Sequence, residues 1–209
     1  MTLKIKKIPY KDKTIRLRLS SNSLENDFYI YVVLLNDVDN EFSNVGHLVL
    51  KYESKRQSWW IVEIELNSKE RGHNFGAAML LQGIKAIKQL TEDYPESIKS
   101  LNIHGMIGGI FLKDINDSEE ITKSNGYWKI KSFYETLGFN FTDNIHFKKE
   151  LSKDILNEWP NTISANIENK ELKLELAIKN RVLKSYENEL NYLESKWLGR
   201  YLLKNNKGS

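Results

Sequence analysis

The sequence predicts an α/β fold: a mixed, mostly antiparallel sheet flanked by helices, with a long C-terminal helical extension. Three observations predict it. The early part of the 209-residue chain alternates with period two or runs aromatic and β-branched. The period then becomes helical at 76–90 and at 127–137, with strand-like segments between and after. Beyond residue 151 apolar residues recur four and three apart as far as Trp197. These features divide the chain into a domain over 1–151 and a helical extension over 152–209, coiled-coil-like in pattern.

Each element has its own signal. Residues 14–20 (T-I-R-L-R-L-S) set Ile15, Leu17 and Leu19 against Arg16 and Arg18. Residues 28–35 form an aromatic and β-branched run closed by Asn36-Asp37, and 45–52 form another. Residues 59–66 (W-W-I-V-E-I-E-L) are a fourth strand, with Glu63 and Glu65 on one face. Short polar turns between the four predict an antiparallel meander. Over 76–90, Leu80, Ile84 and Ile87 share a helical face and Lys85 and Lys88 point away. A buried strand follows at 98–111, a polar surface loop at 113–126 and a short helix at 127–137. Gly138 can end that helix in the left-handed conformation. A last strand covers 139–147. In the extension, seven of the eight positions Leu172, Leu176, Lys179, Leu183, Tyr186, Leu190, Leu193 and Trp197 are apolar or aromatic. Two readings fit that seam: a helix that self-associates into a homo-oligomer, or one packed on its own domain.

Composition excludes several classes of chemistry. Without cysteine there is no disulfide scaffold, thiolate zinc site, thiol redox centre or cysteine nucleophile. No other metal-ligand spacing stands out. The absence of cysteine fits a reducing cytoplasm, the compartment expected here. Lys or Arg interrupts every apolar stretch of the first twenty residues, which therefore lack a signal-peptide core. No apolar run approaches the roughly 18 residues that span a bilayer, so no membrane partner is expected. A net charge of +3 is too small to argue for nucleic acid. Lys4, Lys6, Lys7, Lys11 and Lys13 read as solvating residues.

The most informative stretch joins the fourth strand to the first helix: I-E-L-N-S-K-E-R-G-H-N-F-G-A-A-M-L-L over 64–81. A strand enters a glycine-bearing turn and the turn opens a helix. Exposed amides and the helix dipole together make such a turn suited to phosphate oxygens. Gly72 and Gly76 keep side chains away from a close ligand, Arg71 adds positive charge, and Asn74 tolerates positive φ. There is no G-K-[ST] and no G-x-G-x-x-G, so nucleotide P-loop and dinucleotide motifs are excluded.

Arg71-Gly72-His73-Asn74-Phe75-Gly76 resembles the R/Q-x-x-G-x-G/A turn of the GNAT acyltransferase superfamily. Ser132–Phe139 (S-F-Y-E-T-L-G-F) is similar to the F-Y-x-x-x-G-F signature of that family's last helix and strand. The resemblance covers residues 14–151 and implies a GNAT-like fold and an acetyl-CoA-dependent N-acetyltransferase acting on an amine. It implies that the amides of Arg71, Gly72, His73, Asn74, Phe75, Gly76 and Ala77 hold the pyrophosphate. It implies that the backbone of Ile64 and Leu66 pairs with the pantetheine arm. Tyr134 falls where many members keep the tyrosine that protonates the departing thiolate. Glu63 or Glu65 falls where several keep a carboxylate base, with His104 as a rival.

Those residue types suit the chemistry. An alkyl ammonium with a pKa near 10.4 must lose a proton before it attacks a thioester, and a carboxylate in a partly desolvated cleft can take it. Between the first two predicted strands only residues 21–27 intervene, too few for the helices that build an acceptor site in the family. A second reading is therefore a GNAT-like scaffold that works as an assembly module through its C-terminal helix, with little or no catalysis. The acceptor amine is not legible from the sequence.

Overall fold

The computed structural model describes residues 2–22, 24–36, 43–108 and 122–205. Its strands are β1 (Thr2–Tyr10), β2 (Lys13–Asn22), β3 (Asp27–Leu35), β4 (Asn44–Glu53), β5 (Ser58–Leu66), β6 (Ile103–Met106), β7 (Asn140–Phe141) and β8 (His146–Lys149). Its helices are α1 (Phe75–Asp93), α2 (Asn125–Thr136) and α3 (Lys153–Asn205). All eight strands join one sheet in the order β1-β2-β3-β4-β5-β6-β8-β7. The first five form an antiparallel meander, β6 runs parallel to β5, and β8 is antiparallel to both β6 and β7. This is the mixed, mostly antiparallel α/β sheet that the sequence predicts.

One face of the sheet carries the core. Leu17, Ile30, Val32, Leu48, Leu50, Tyr52, Trp59, Ile61 and Ile103 are buried together. Met79, Leu80, Ile84, Ile87 and Leu90 of α1 are buried in the same cluster, each contributing about 1.5–3 kcal/mol. The helix lies close to the sheet because Gly83 has no Cβ, which would stand 2.6 Å from Leu50 Cδ1. The intervening residues of the strands, among them Arg16, Tyr29, Tyr31, Val33, His47, Val49 and Lys51, are only half-buried. They make up the second, more open face.

Three expectations need correction. β1 was not foreseen, because its lysines break the apolar pattern and Ile5 remains 60% exposed. A lysine-rich strand bearing Pro9 is what an unpaired sheet edge tolerates. The strand predicted over 98–111 is shorter, since Ser97 and Ile98 donate to the Tyr94 carbonyl and Lys99 donates to the Tyr52 hydroxyl, so pairing starts only at Ile103. Gly109, Ile110 and Phe111, like 113–121 of the predicted loop, lie outside the described residues. The strand predicted over 139–147 is a hairpin. Asp143 Oδ1 accepts from the Ile145 and His146 amides at 2.8 and 2.7 Å and folds the chain back into β8. Gly138 ends α2 with φ +85, as its position predicts.

The chain separates into two compact units, Met1–Ile167 and Glu168–Ser209. The first turns of α3 belong to the first unit because Leu156, Trp159, Ile163 and Ile167 are buried in its core. Trp159 Nε1 also donates to the Leu137 carbonyl at 2.8 Å, satisfying the C-terminal end of α2. No helix among the described residues is long and apolar enough to cross a membrane.

Candidate functional site

The site begins where the sheet comes apart. β5 and β6 pair only through Trp59–Ile103, Trp60–His104 and Ile61–Gly105. Beyond Ile61 the register of β5 against β4 also shifts: Val49 faces Glu63 while Leu50 faces Ile61, so Val62 is an extra, bulged residue. From there Glu63–Leu66 stays bonded to β4 but has no partner in β6. Its outer edge, which includes Ile64 and Leu66, pairs with no other strand among the described residues and opens a wedge between two parallel strands.

The wedge ends at the turn. After Leu66, Asn67 donates to the Val45 carbonyl at 2.9 Å, a single 3-10 turn covers Ser68–Glu70, and the chain reaches Arg71. Gly72 and Asn74 both take left-handed conformations, at φ +87 and +67. The first helical bond of α1 runs from the Ala78 amide to the Asn74 carbonyl at 2.9 Å. The amides of Phe75, Gly76 and Ala77 precede it and have no acceptor within the helix. A Cβ on Gly72 would meet nothing within 4 Å, whereas one on Gly76 would lie 3.4 Å from Phe133 and 3.5 Å from Leu66. The turn therefore offers the amides of Phe75, Gly76 and Ala77 at the start of α1, with open space at Gly72 and with Phe133 and Leu66 flanking Gly76. Those donors suit an anionic phosphate, and the outer strand edge beside them suits an extended chain carrying amide groups.

Cations stand beside the turn. Arg71 Nε donates to the Leu66 carbonyl at 3.1 Å, which ties its guanidinium to the end of β5. Lys11, from the hairpin between β1 and β2, donates to the His73 carbonyl at 3.1 Å and lies 5.8 Å over the Phe75 ring. Sequence reasoning missed Lys11 at this place, since only the fold of an unforeseen edge strand brings it here. The His73 side chain is exposed.

Tyr134 occupies the core face of the sheet. It is 3% exposed, stacks on Phe147 with centroids 3.9 Å apart, and meets Phe139 edge to face. Phe147 in turn lies over Gly105, where any Cβ would overlap its ring. The missing side chain of Gly105 thus makes room for the Phe147 ring on which Tyr134 stacks. Burial pushes its phenol well above the ordinary value, so it holds its proton at neutral pH.

Glu63 and Glu65 lie on the opposite, open face, and the bulge puts them there. Strict alternation from Trp59 would have turned both carboxylates into the core; the extra residue inverts the phase, so Ile64 and Leu66 pack on the core instead. Glu63 Oε2 is 3.0 Å from His47 Nε2, and His47 faces Glu65 across the strands. Polar atoms of the three residues lie within 4.8 Å of one another, a donor set that could also bracket a divalent cation. His47 was not foreseen: without the bulge, the hairpin register sets it opposite Ile64. On the same face His104 stacks on Trp60 at 5.2 Å. Desolvation, aided by Lys148, lowers its pKa against the opposing pull of Glu150.

No protein-family model matches the sequence, and no curated protein matches it. Solved structures do. An acetyltransferase of the GNAT family from Staphylococcus aureus aligns at 15% identity over 59% of this chain and 68% of its own, with a TM-score of 0.38. An aminoglycoside 6'-N-acetyltransferase complexed with coenzyme A aligns at 14% identity over 58% and 72%, with a TM-score of 0.36. The ribosomal-protein-S18-alanine N-acetyltransferase from Escherichia coli aligns at 13% identity over 59% and 70%, with a TM-score of 0.35. Likeness at these scores carries no argument about activity. By its own strand order, parallel β5–β6 pair and connecting helices, the chain has a GNAT-like α/β fold.

Proposed function

We propose that this protein is an acetyl-CoA-dependent N-acetyltransferase that moves the acyl group directly to an amine. The carrying observation is the wedge between β5 and β6 that ends at a turn with left-handed Gly72 and Asn74 and opens α1. In this reading the amides from Gly72 to Ala77 receive the pyrophosphate, with Arg71 and Lys11 adding positive charge; the Arg71 amide, which the sequence expectation included, already donates to the Ser68 carbonyl at 3.4 Å. The outer backbone edge of β5 receives the pantetheine amides at Ile64 and, once Arg71 releases its carbonyl, at Leu66. Glu63 or Glu65, with His104 as the rival base, takes the proton of the attacking ammonium. As the new N–C bond forms and the C–S bond breaks, Tyr134 supplies a proton to the sulfur. The chain has no cysteine to carry an acyl thioester, which agrees with direct transfer.

The geometry supports a division of labour. Base candidates stand on the open face and the proton donor on the core face, so the amine and the sulfur would meet the wedge from opposite sides. Separating a base from an acid in this way lets each keep the protonation state its step needs. Exposed apolar residues along the C-terminal helix favour the second reading, a scaffold that works in assembly. Acetyl transfer to a panel of amines separates the two, with Tyr134→Phe as the comparison: turnover that falls in the variant supports the enzyme, and no turnover by the wild type supports the scaffold.

A further inference from the structure

The second unit, beginning at Glu168, is helix without a core of its own among the described residues. Every described side chain from Leu172 to Lys196 is exposed. Leu172, Leu176, Leu183, Tyr186, Leu190 and Leu193, each between 58% and 62% exposed, form a stripe that recurs four and three apart once Lys179 fills the place between Leu176 and Leu183. A stripe of this period is the seam of a two-stranded coiled coil. Its occupant can be chosen from the charges that border it.

We infer that this helix pairs with the same helix of a second copy, antiparallel, with Leu183 packed on Tyr186 across the dimer axis. In this register Leu176 meets Leu193 of the second copy and Lys179 meets Leu190. Lys179 can reach out of the seam, where it already lies 2.8 Å from Glu175. The flanking positions then fall in opposite charges: Glu175 beside Lys196 of the second copy and, by sequence, Lys173 beside Glu194. Symmetry makes each pair twice. No two like charges meet along the seam.

Other arrangements of the same sequence are worse. A parallel, in-register pair gains Glu168 against Lys173 but sets Glu189 against Glu194. Sliding the antiparallel pair by one heptad in one direction gains Lys173 against Glu187 and Glu168 against Lys196 but sets Glu175 against Glu189, leaving fewer net attractions than the proposed register. Sliding it in the other direction sets Glu187 and Glu189 each against its own copy. Like charges across such a seam select against the register that brings them together. Charge complementarity thus favours both this orientation and this register.

Two measurements on the full chain test this. Light scattering at high micromolar concentration should give twice the 24.5 kDa chain mass. Leu183→Glu should return it to the monomer while far-ultraviolet dichroism of the first unit persists. Glu175→Lys should raise the dimer Kd severalfold, and adding Lys196→Glu in the same chain should restore it. The chain lacks cysteine, so introduced thiols report alone. Positions 176 and 193 are about 25 Å apart along the helix. Mixing Leu176→Cys with Leu193→Cys should cross-link, and Leu176→Cys alone should not. A monomer at every concentration, a dimer indifferent to Leu183→Glu, or self-cross-linking of Leu176→Cys would each overturn the inference.

Discussion

Replacing Gly72 with alanine changes one backbone preference and touches nothing else. Gly72 sits at φ +87, and a Cβ there has no neighbour within 4 Å, so the substitution brings no clash. Its cost is conformational: a residue with a Cβ pays about 1–2 kcal/mol in the left-handed region. Arg71, Gly72 and His73 are exposed, so the turn can relax without opening the core. Most molecules would then hold a turn whose amides no longer converge. The apparent affinity falls by the fraction that keeps the competent shape, so the penalty becomes a loss of about 5- to 30-fold in acetyl-CoA binding. Titration calorimetry measures that loss directly, and a melting curve beside it should move by no more than about 2–4 °C. Asn74→Gly is the counterpart, since it relaxes a left-handed position and should bind at least as well as the wild type. If Gly72→Ala binds acetyl-CoA like the wild type, the turn does not cradle phosphate and the reasoning fails.

Tyr134→Phe keeps the stack on Phe147 but removes the proton, so acetyl-CoA affinity should hold while kcat drops by about 10²–10⁴-fold; an unchanged kcat removes Tyr134 from the mechanism. Glu63→Gln and Glu65→Gln, assayed separately, should divide, one losing a comparable factor in kcat and the other little; equal, small effects in both would leave His104 as the base. Ending the chain after Ile167 should leave the first unit folded. Ending it after Leu151 removes Leu156, Trp159, Ile163 and Ile167 from the core, a loss of about 6–12 kcal/mol that rivals the stability of a whole domain. A cooperative melt of the shorter fragment would contradict this. For His104, burial holds the folded pKa below the ordinary 6.5. Its contribution to stability is therefore complete above the unfolded value and is lost as pH falls from 6.5 toward the folded value. His104→Gln should flatten the pH dependence of the urea midpoint in that window, and an unaltered slope would refute the assignment.

Local signals carried the sequence reading a long way. The meander was legible because β2 to β5 alternate or run β-branched between short polar turns. The end of α2 was legible because Gly138 follows a helical pattern directly. The turn at Arg71–Ala77 could be read because glycine and asparagine are the residues that left-handed backbone demands. What stayed hidden was set by distant partners. The bulge at Val62 leaves no mark in W-W-I-V-E-I-E-L, yet it decides whether Glu63 and Glu65 face the core or the open side. With the bulge unseen, His47 could not be placed beside Glu63, 3.0 Å away. Lys11 looked like one of several solvating lysines until β1 proved to be a strand whose hairpin reaches the turn. The hairpin at β7–β8 depends on two amides bonded to Asp143, a contact that strand periodicity does not report.

The central claim is that the wedge and turn bind an acyl-CoA. Calorimetric titration of the full chain with acetyl-CoA tests it most directly. The account predicts saturable binding of one molecule per chain, weakened by salt because the pyrophosphate is held by amides and nearby cations. Heats that remain those of dilution up to millimolar acetyl-CoA would contradict it.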